Sequence, residues 1–254
     1  MNKIALITGA TSGFGKACAY KFAANNYDVI ITGRRKEKLD ELKIDLEKKF
    51  SVKILPLLFD VQNREKVFSV IENIPEEWKK IDVLINNAGL ALGRDFFEDA
   101  DINDWETMLD TNVKGLLYVS KAVLPFMIKS KKGHIINMGS VAAKVAYEKG
   151  NVYCASKAAV ETISETMRID LLRHGIKVTA IHPGAAETEF SDVRFKGNKE
   201  LAKKMYEGYE PLHAEDIADT IFYCATLPPH VCINDLVITC VAQADSIYFY
   251  KKIG

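Results

Sequence analysis

Short apolar runs of strand length and longer stretches with helical spacing alternate along this chain from end to end, and that alternation restricts the fold more than any other property. The apolar runs fall at residues 4–7, 29–31, 52–59, 81–85, 134–138, 176–181 and 236–240. Between them apolar residues recur at helical intervals, as in Ala17, Tyr20, Phe22 and Ala23, or Leu39, Leu42 and Leu46. Strands that alternate with helices pair in parallel, so the expected fold is α/β: a single Rossmann-type doubly wound parallel sheet with helices on both faces. No linker, repeat or low-complexity segment interrupts the 254 residues, and one domain, 1–254, is the simplest organisation. A helix is expected over 104–127, another from Glu215, and a polar loop over 191–198.

In such folds ligands bind outside the carboxyl ends of the strands. The first strand stops at Thr8 and runs into Gly9, Ala10, Thr11, Ser12, Gly13, Phe14 and Gly15, with a helical pattern immediately after. Strand, glycine-rich turn and helix in succession let backbone N–H groups and a helix N-terminus face a phosphate. The second strand ends at Thr32-Gly33-Arg34-Arg35. An acid there would bind the ribose 2′-hydroxyl of NAD, whereas arginine accommodates the 2′-phosphate of NADP. With two arginines and no acid the expected cofactor is NADP, the competing role for Arg34 and Arg35 being the charged face of the next helix. Asp60-Val61 ends the third strand, where the carboxylate either accepts a bond from the adenine amino group or caps the helix that follows. Asn86, Asn87, Ala88 and Gly89 after the fourth strand suit either a floor beneath a flat cofactor ring or an ordinary turn.

The chemistry is concentrated near residue 150. If Tyr153 and Lys157 share a helix, their separation of four places both side chains on one face. A neighbouring ammonium favours the phenolate and lowers its pKa, which makes the pair a candidate acid/base, although the same spacing also occurs on ordinary amphipathic helices. Ser140 follows a buried-strand run and is placed to hydrogen-bond the same substrate oxygen. Asn112, set among apolar residues, is either a structural amide tying two strands or the holder of a water that links Lys157 to solvent. In the 191–198 segment, Arg194 and Lys196 are candidates for binding a substrate carboxylate, or else solvated loop charges.

Lys plus Arg and Asp plus Glu number 34 each, so the net charge is zero, which argues against nucleic acid or an anionic membrane as the main partner. No stretch is long and apolar enough to cross a bilayer, and no signal peptide is evident. Five scattered cysteines without a Cys-x-x-Cys pair fit small buried thiols in a reducing cytoplasm and offer no metal-ligand spacing.

The ordered motifs Thr8-Gly9-x-x-x-Gly13-x-Gly15, Asn86-Asn87-Ala88-Gly89, Asn112, Ser140, Tyr153-x-x-x-Lys157 and Pro183-Gly184-x-x-x-Thr188 resemble the short-chain dehydrogenase/reductase family over essentially the whole chain. The resemblance implies that Tyr153 is the acid/base and that Lys157 lowers its pKa and binds the nicotinamide ribose. It also implies that Ser140 polarises the substrate oxygen, that Asn112 holds a relay water, and that the backbone from Pro183 through Gly184 to Thr188 holds the carboxamide. The runs 88–93, 104–108, 188–197 and 227–231 narrow the likeness to the NADP-dependent 3-hydroxy acid dehydrogenase group, which implies a small hydroxy acid substrate and a homotetramer. A reductase of a 3-oxoacyl thioester or a xenobiotic ketone is the alternative on the same scaffold, and a non-catalytic NADP-binding sensor is disfavoured by the full set of catalytic groups. Ala143 stands where many relatives carry glycine, and Ala185-Ala186 replaces a larger pair; both departures bear on substrate preference.

Overall fold

The computed structural model describes residues 2–252. Seven strands, β1 (Lys3–Ile7), β2 (Tyr27–Gly33), β3 (Ile54–Leu58), β4 (Ile81–Asn86), β5 (Gly133–Met138), β6 (Ile176–Pro183) and β7 (Asp235–Ile238), form one sheet in the order β3-β2-β1-β4-β5-β6-β7. Every pairing is parallel. The chain first winds outward from β1 to β3, then starts again beside β1 with β4 and proceeds to β7. That reversal leaves a crevice at the carboxyl ends of β1 and β4.

Alternate residues of each strand face opposite sides, so both sides must be covered. From β1, Ala5 and Ile7 enter one core and Ile4 and Leu6 the other. The first core receives Cys18 and Phe22 of α1 (Gly13–Ala24), Leu39 and Leu46 of α2 (Lys36–Lys49), and Ile217 and Ile221 of α9 (Ala214–Thr226). The second receives Val67 and Ile71 of α3 (Arg64–Glu72), Val119, Val123 and Met127 of α5 (Leu116–Ser130), and Leu171 of α6 (Asn151–Leu171). Each fully buried side chain of this size contributes about 1.5–3 kcal/mol. Among the described residues no helix is long and apolar enough to cross a membrane.

A buried polar chain fixes α6 against the sheet. Asn86 Nδ2 donates to Ser120 Oγ at 2.8 Å and to Asn137 Oδ1 at 2.9 Å, and Asn137 Nδ2 donates to Ser164 Oγ at 2.9 Å. These bonds join β4, α5, β5 and α6, and they hold the turn carrying Tyr153 and Lys157 over the ends of the strands.

Several elements differ from the sequence expectation. The helix over 104–127 is α4 (Ile102–Leu109), then a π-helical turn at Asp110–Gly115, then α5. Its cap is Asp101, which accepts the Asn103 N–H. The extra residue of the π turn brings Gly115 against Val61, where a Cβ would lie 2.7 Å from the valine Cγ2. The first half of the expected loop over 191–198 is helical: Thr188 caps α7 (Glu189–Arg194), a turn covers the second half, and α8 (Lys199–Lys204) follows it. The last strand begins and ends slightly earlier than the apolar run, because Asp235 pairs with Ala180 and the ladder stops at Ile238. Cys18, Cys154, Cys224 and Cys240 are buried free thiols, and Cys232 is half-buried.

Candidate active site

A cleft of about 1140 Å³ opens at the carboxyl ends of the strands. One wall is the loop between β1 and α1. Gly9 adopts a left-handed φ of 65°, and Asn87 Nδ2 donates to the Thr8 and Gly9 carbonyls at 2.8 and 3.3 Å. Gly15 must lack a side chain, since a Cβ would fall 2.4 Å from the Gly9 oxygen and 2.5 Å from Asn87 Nδ2. The Thr8 hydroxyl accepts the Asn87 and Ala88 N–H groups at 2.9 Å each and so stitches this loop to the one after β4. The first turn of α1 contains no acidic residue, which leaves its N-terminal N–H groups and positive dipole end suited to a phosphate.

At the adenosine end Arg34 and Arg35 both line the cleft. Arg35 Nη2 donates to Thr11 Oγ1 at 2.9 Å, and its Nη1 reaches Glu189 at 3.3 Å. Arg34 Nη1 pairs with Asp60 at 3.3 Å. Asp60 also accepts the Gln62 N–H, while α3 is capped by Asn63, so the cap role expected for Asp60 falls to a neighbour. Two guanidinium groups at the end of β2, with no acid on that strand end, fit a 2′-phosphate.

Tyr153 and Lys157 sit one turn apart on α6, both buried, beside Ser140 at the end of β5. The Ser140 side chain caps the short turn Val141–Ala143 by accepting the Ala142 N–H at 3.1 Å. Burial pushes the Tyr153 phenol well above its ordinary value and the nearby Tyr147 adds to this, whereas a hydrogen bond from Ser140 and the charge of Arg194 pull it down. Burial also pushes the Lys157 ammonium down to about 8. The Lys157 Nζ donates to the Met138 carbonyl at 2.8 Å and stands 6.0 Å from the Tyr153 ring centroid. Lys157 is not among the groups that shift the phenol and burial dominates, so the arrangement presents a protonated phenol, the form that gives a proton to a carbonyl oxygen.

At the other end of the cleft, Arg194 of α7 is buried against two aromatic rings. Its guanidinium carbon lies 5.5 Å from the Tyr147 centroid and 5.4 Å from that of Tyr153. Nη2 donates to the Tyr147 hydroxyl at 2.8 Å, and Nε is buried without a partner among the described residues. Arg94 approaches the same Tyr147 ring at 5.8 Å. A fixed cation held between rings next to a protonated phenol suits a small substrate that carries an anionic group close to its carbonyl.

The sequence matches the family model for short chain dehydrogenase over residues 3–199. The chain belongs to that family. It is 47% identical over 242 residues to the NADP-dependent 3-hydroxy acid dehydrogenase YdfG of Salmonella typhi, covering 95% of this chain and 96% of that one. It is 45% identical over 249 residues to sulfoacetaldehyde reductase 2 of Chromohalobacter salexigens, covering 98% of each. Among solved structures, the closed form of serine dehydrogenase complexed with NADP+ superposes with a TM-score of 0.92 at 43% identity, covering 98% of this chain and 100% of that one.

Of the site residues expected from the sequence of this short-chain dehydrogenase, the cleft is lined by Gly9, Thr11, Ser12, Gly13, Phe14, Arg34, Arg35, Asp60, Val61, Asn87, Ala88, Gly89, Ser140, Tyr153, Lys157, Pro183, Gly184, Thr188 and Arg194. Four other expected site residues stand outside the lining. Ala10 is buried behind the loop, with its N–H bonded to Thr32, and Gly15 packs beneath Gly9. Lys196 is exposed and ion-paired to Asp104 at 2.8 Å, so its charge is directed to α4 and away from the cleft. Asn112 sits in the π turn, where Oδ1 accepts the Leu90 N–H and Nδ2 donates to the Leu90 carbonyl and Ser156 Oγ, at 2.8, 2.8 and 3.0 Å. It ties the loop after β4 to α6; the tie between strands is made by Asn86 and Asn137. Tyr147 and Arg94 belong to no spaced motif, so the sequence carries no signal for either. Thr8 was visible only as the first residue of the glycine turn.

Proposed function

We propose that this protein is an NADP-dependent oxidoreductase that interconverts small 3-hydroxy acids, or closely similar anionic alcohols, and their carbonyl forms. The observation that carries the reading is Arg194, a buried cation beside the Tyr153 phenol. A substrate with a carboxylate or sulfonate near its carbonyl would pair with Arg194 and place the carbonyl oxygen against Tyr153 and Ser140. The 3-hydroxy acid relatives and the sulfoacetaldehyde reductase relative share this substrate chemistry in their names.

The bound nicotinamide would supply or take the hydride. In the reducing direction Tyr153 gives its proton to the substrate oxygen as charge builds there, while Ser140 donates a hydrogen bond to the same oxygen. Lys157 would hold the ribose and, as an ammonium, stabilise the phenolate that remains. Asn112 keeps α6 and the loop after β4 in register, and a relay water beside it would return the proton. Gly89 leaves room there, since its Cβ position lies 3.3 Å from Asn112 Oδ1 and 3.4 Å from Lys157 Nζ. The small Ala185 and Ala186 widen the nicotinamide end of the cleft. A cytoplasmic homotetramer is part of the reading, with the exposed Ile169 and Leu172 at the end of α6 among the side chains a second subunit would cover.

The deciding experiment follows nicotinamide absorbance, with NADP and NAD in parallel against serine, L-allo-threonine, 3-hydroxypropionate and an uncharged secondary alcohol, and with NADPH and NADH in parallel against sulfoacetaldehyde. Turnover of the anionic substrates with the phosphorylated cofactor only is expected; turnover of the uncharged alcohol alone would defeat the substrate assignment. Tyr153→Phe should bind NADPH normally and turn over nothing, and full turnover by that variant would remove Tyr153 as the acid.

A further inference from the structure

His182 lies near the end of β6 with no exposed surface and has no part in the chemistry above. Its ring packs under the Gly139–Ser140 peptide so closely that a Cβ on Gly139 would fall 2.4 Å from Nδ1. Nδ1 is 3.3 Å from the Ser140 amide nitrogen and 3.1 Å from the Ser140 carbonyl oxygen. These two partners require opposite states, because the N–H needs a bare Nδ1 and the carbonyl needs Nδ1–H. On the far side of the ring, Nε2 is 2.7 Å from Asp235 Oδ1 of β7, close enough for an ion pair although not aligned as a hydrogen bond. A bare nitrogen facing a carboxylate is repelled, so the neutral ring carries its proton on Nε2 and accepts the Ser140 N–H at Nδ1. A second proton can go only to Nδ1, where it redirects the ring to the Ser140 carbonyl.

The groups behind the ring form a charge chain. The Lys144 ammonium, just after the Val141–Ala143 turn, bonds both Asp235 and Glu161 of α6. Glu161, His182 and Asp235 bring ligand-type atoms within 4.8 Å of one another, but Lys144 already supplies the positive charge between the two carboxylates. Burial pushes the His182 imidazolium below its ordinary value; Asp235, the Ser140 backbone and Glu161 work against this, and Lys144 works with it. Asp235 is 45% exposed and connects the buried ring to solvent.

We propose that His182 is a positioning residue for Ser140: neutral, it accepts the Ser140 N–H and holds the backbone that aims the hydroxyl; protonated, it donates to the Ser140 carbonyl and turns that residue out of register. The proposal rests on the reading of Ser140 as the hydroxyl that orients substrate. Turnover should fall as the pH drops below the ordinary histidine value of 6.5, with KM for NADPH unchanged.

His182→Asn keeps a non-titrating polar group at the Nδ1 position, so it should retain kcat within about threefold near pH 7.5 and lose the acidic fall. His182→Phe leaves the Ser140 N–H without a partner and should lower kcat about tenfold at every pH, the size of one buried hydrogen bond. Asp235→Asn removes a charge that favours the imidazolium and should move the acidic fall to lower pH. An acidic fall identical in wild type, His182→Asn and Asp235→Asn, or an unchanged kcat in His182→Phe, would overturn the proposal. A nitrogen NMR titration of the imidazole in the cofactor-free protein tests the same assignment without turnover. The Nε2–H tautomer is expected near pH 7.5, and the Nδ1–H tautomer would overturn the proposal even if none of the tested substrates reacted.

Discussion

Replacing Arg194 by Met isolates the anion-binding role, because Met keeps an unbranched stem between Tyr147 and Tyr153 and removes only the guanidinium. Deleting one member of a buried, hydrogen-bonded charge pair costs about 2–5 kcal/mol. The cleft is open to solvent and one Arg194 donor is already committed to the Tyr147 hydroxyl, which places the loss for a carboxylate or sulfonate substrate near the lower end, about 3 kcal/mol or roughly 100-fold in kcat/KM. A second effect is common to all substrates: the charge of Arg194 helps to lower the Tyr153 phenol, so its removal makes the acid weaker toward every carbonyl. The informative quantity is therefore a ratio. The assay compares kcat/KM of wild type and Arg194→Met for sulfoacetaldehyde and for an uncharged aldehyde of similar size, by loss of NADPH absorbance. The anionic substrate should lose about 100-fold more than the neutral one. Equal losses for the two would refute the anion-binding role and leave Arg194 as an electrostatic support of the phenol. Loss of the two cation–ring contacts should also lower stability by about 1 kcal/mol, read as a modest drop in Tm.

Two further outcomes follow from the same geometry. Lys157→Met should abolish turnover yet stabilise the cofactor-free fold, because the buried ammonium is held at about 8 against an ordinary 10.5. That difference costs the native state about 3 kcal/mol below pH 8; allowing for the lost bond to Met138, the net gain is about 2 kcal/mol. Between those two pH values the unfolded chain binds more protons, so wild-type stability rises with pH; the variant's advantage should vanish near about pH 9.5 and become a deficit of about 1 kcal/mol by about pH 10.5, as denaturant titrations at several pH values would show; an unchanging gap would refute the assignment. The double variant Arg34→Ala/Arg35→Ala should weaken NADPH about 100-fold while NADH stays within about threefold, measured by nucleotide fluorescence titration; equal weakening of both would show that the arginines serve the fold and not the 2′-phosphate.

Much of this was legible from the sequence, and the reason is local. A parallel sheet buried on both faces demands continuous apolar strands and helices with one apolar stripe, and both patterns are periodic within a few residues. The glycine turn and the Tyr153–Lys157 pair are readable for the same reason, since strand-to-helix turns and a separation of four are fixed by backbone geometry alone. The π turn at 110–115 was not readable, because it depends on Asn112 reaching Leu90 and on Gly115 meeting Val61, contacts that no local spacing records. Nor was the pairing of Lys196 with Asp104, which removes from the cleft a residue that its place in the segment after the sixth strand makes a candidate there.

The sequence by itself determined the order of strands and helices, the segments that gather at one edge of the sheet, and the presence of a phenol, an ammonium and a hydroxyl among them. Only the tertiary structure decided the state of those groups. Arg194 meets Tyr147 across 47 residues, and His182 meets Ser140 across 42. Burial, which raises the Tyr153 phenol and lowers the Lys157 ammonium, is set by the packing of α6 against β6 and the turn at Val141–Ala143. Desolvation and Coulomb interactions depend on distance in space, and a linear chain specifies that distance only after it has folded.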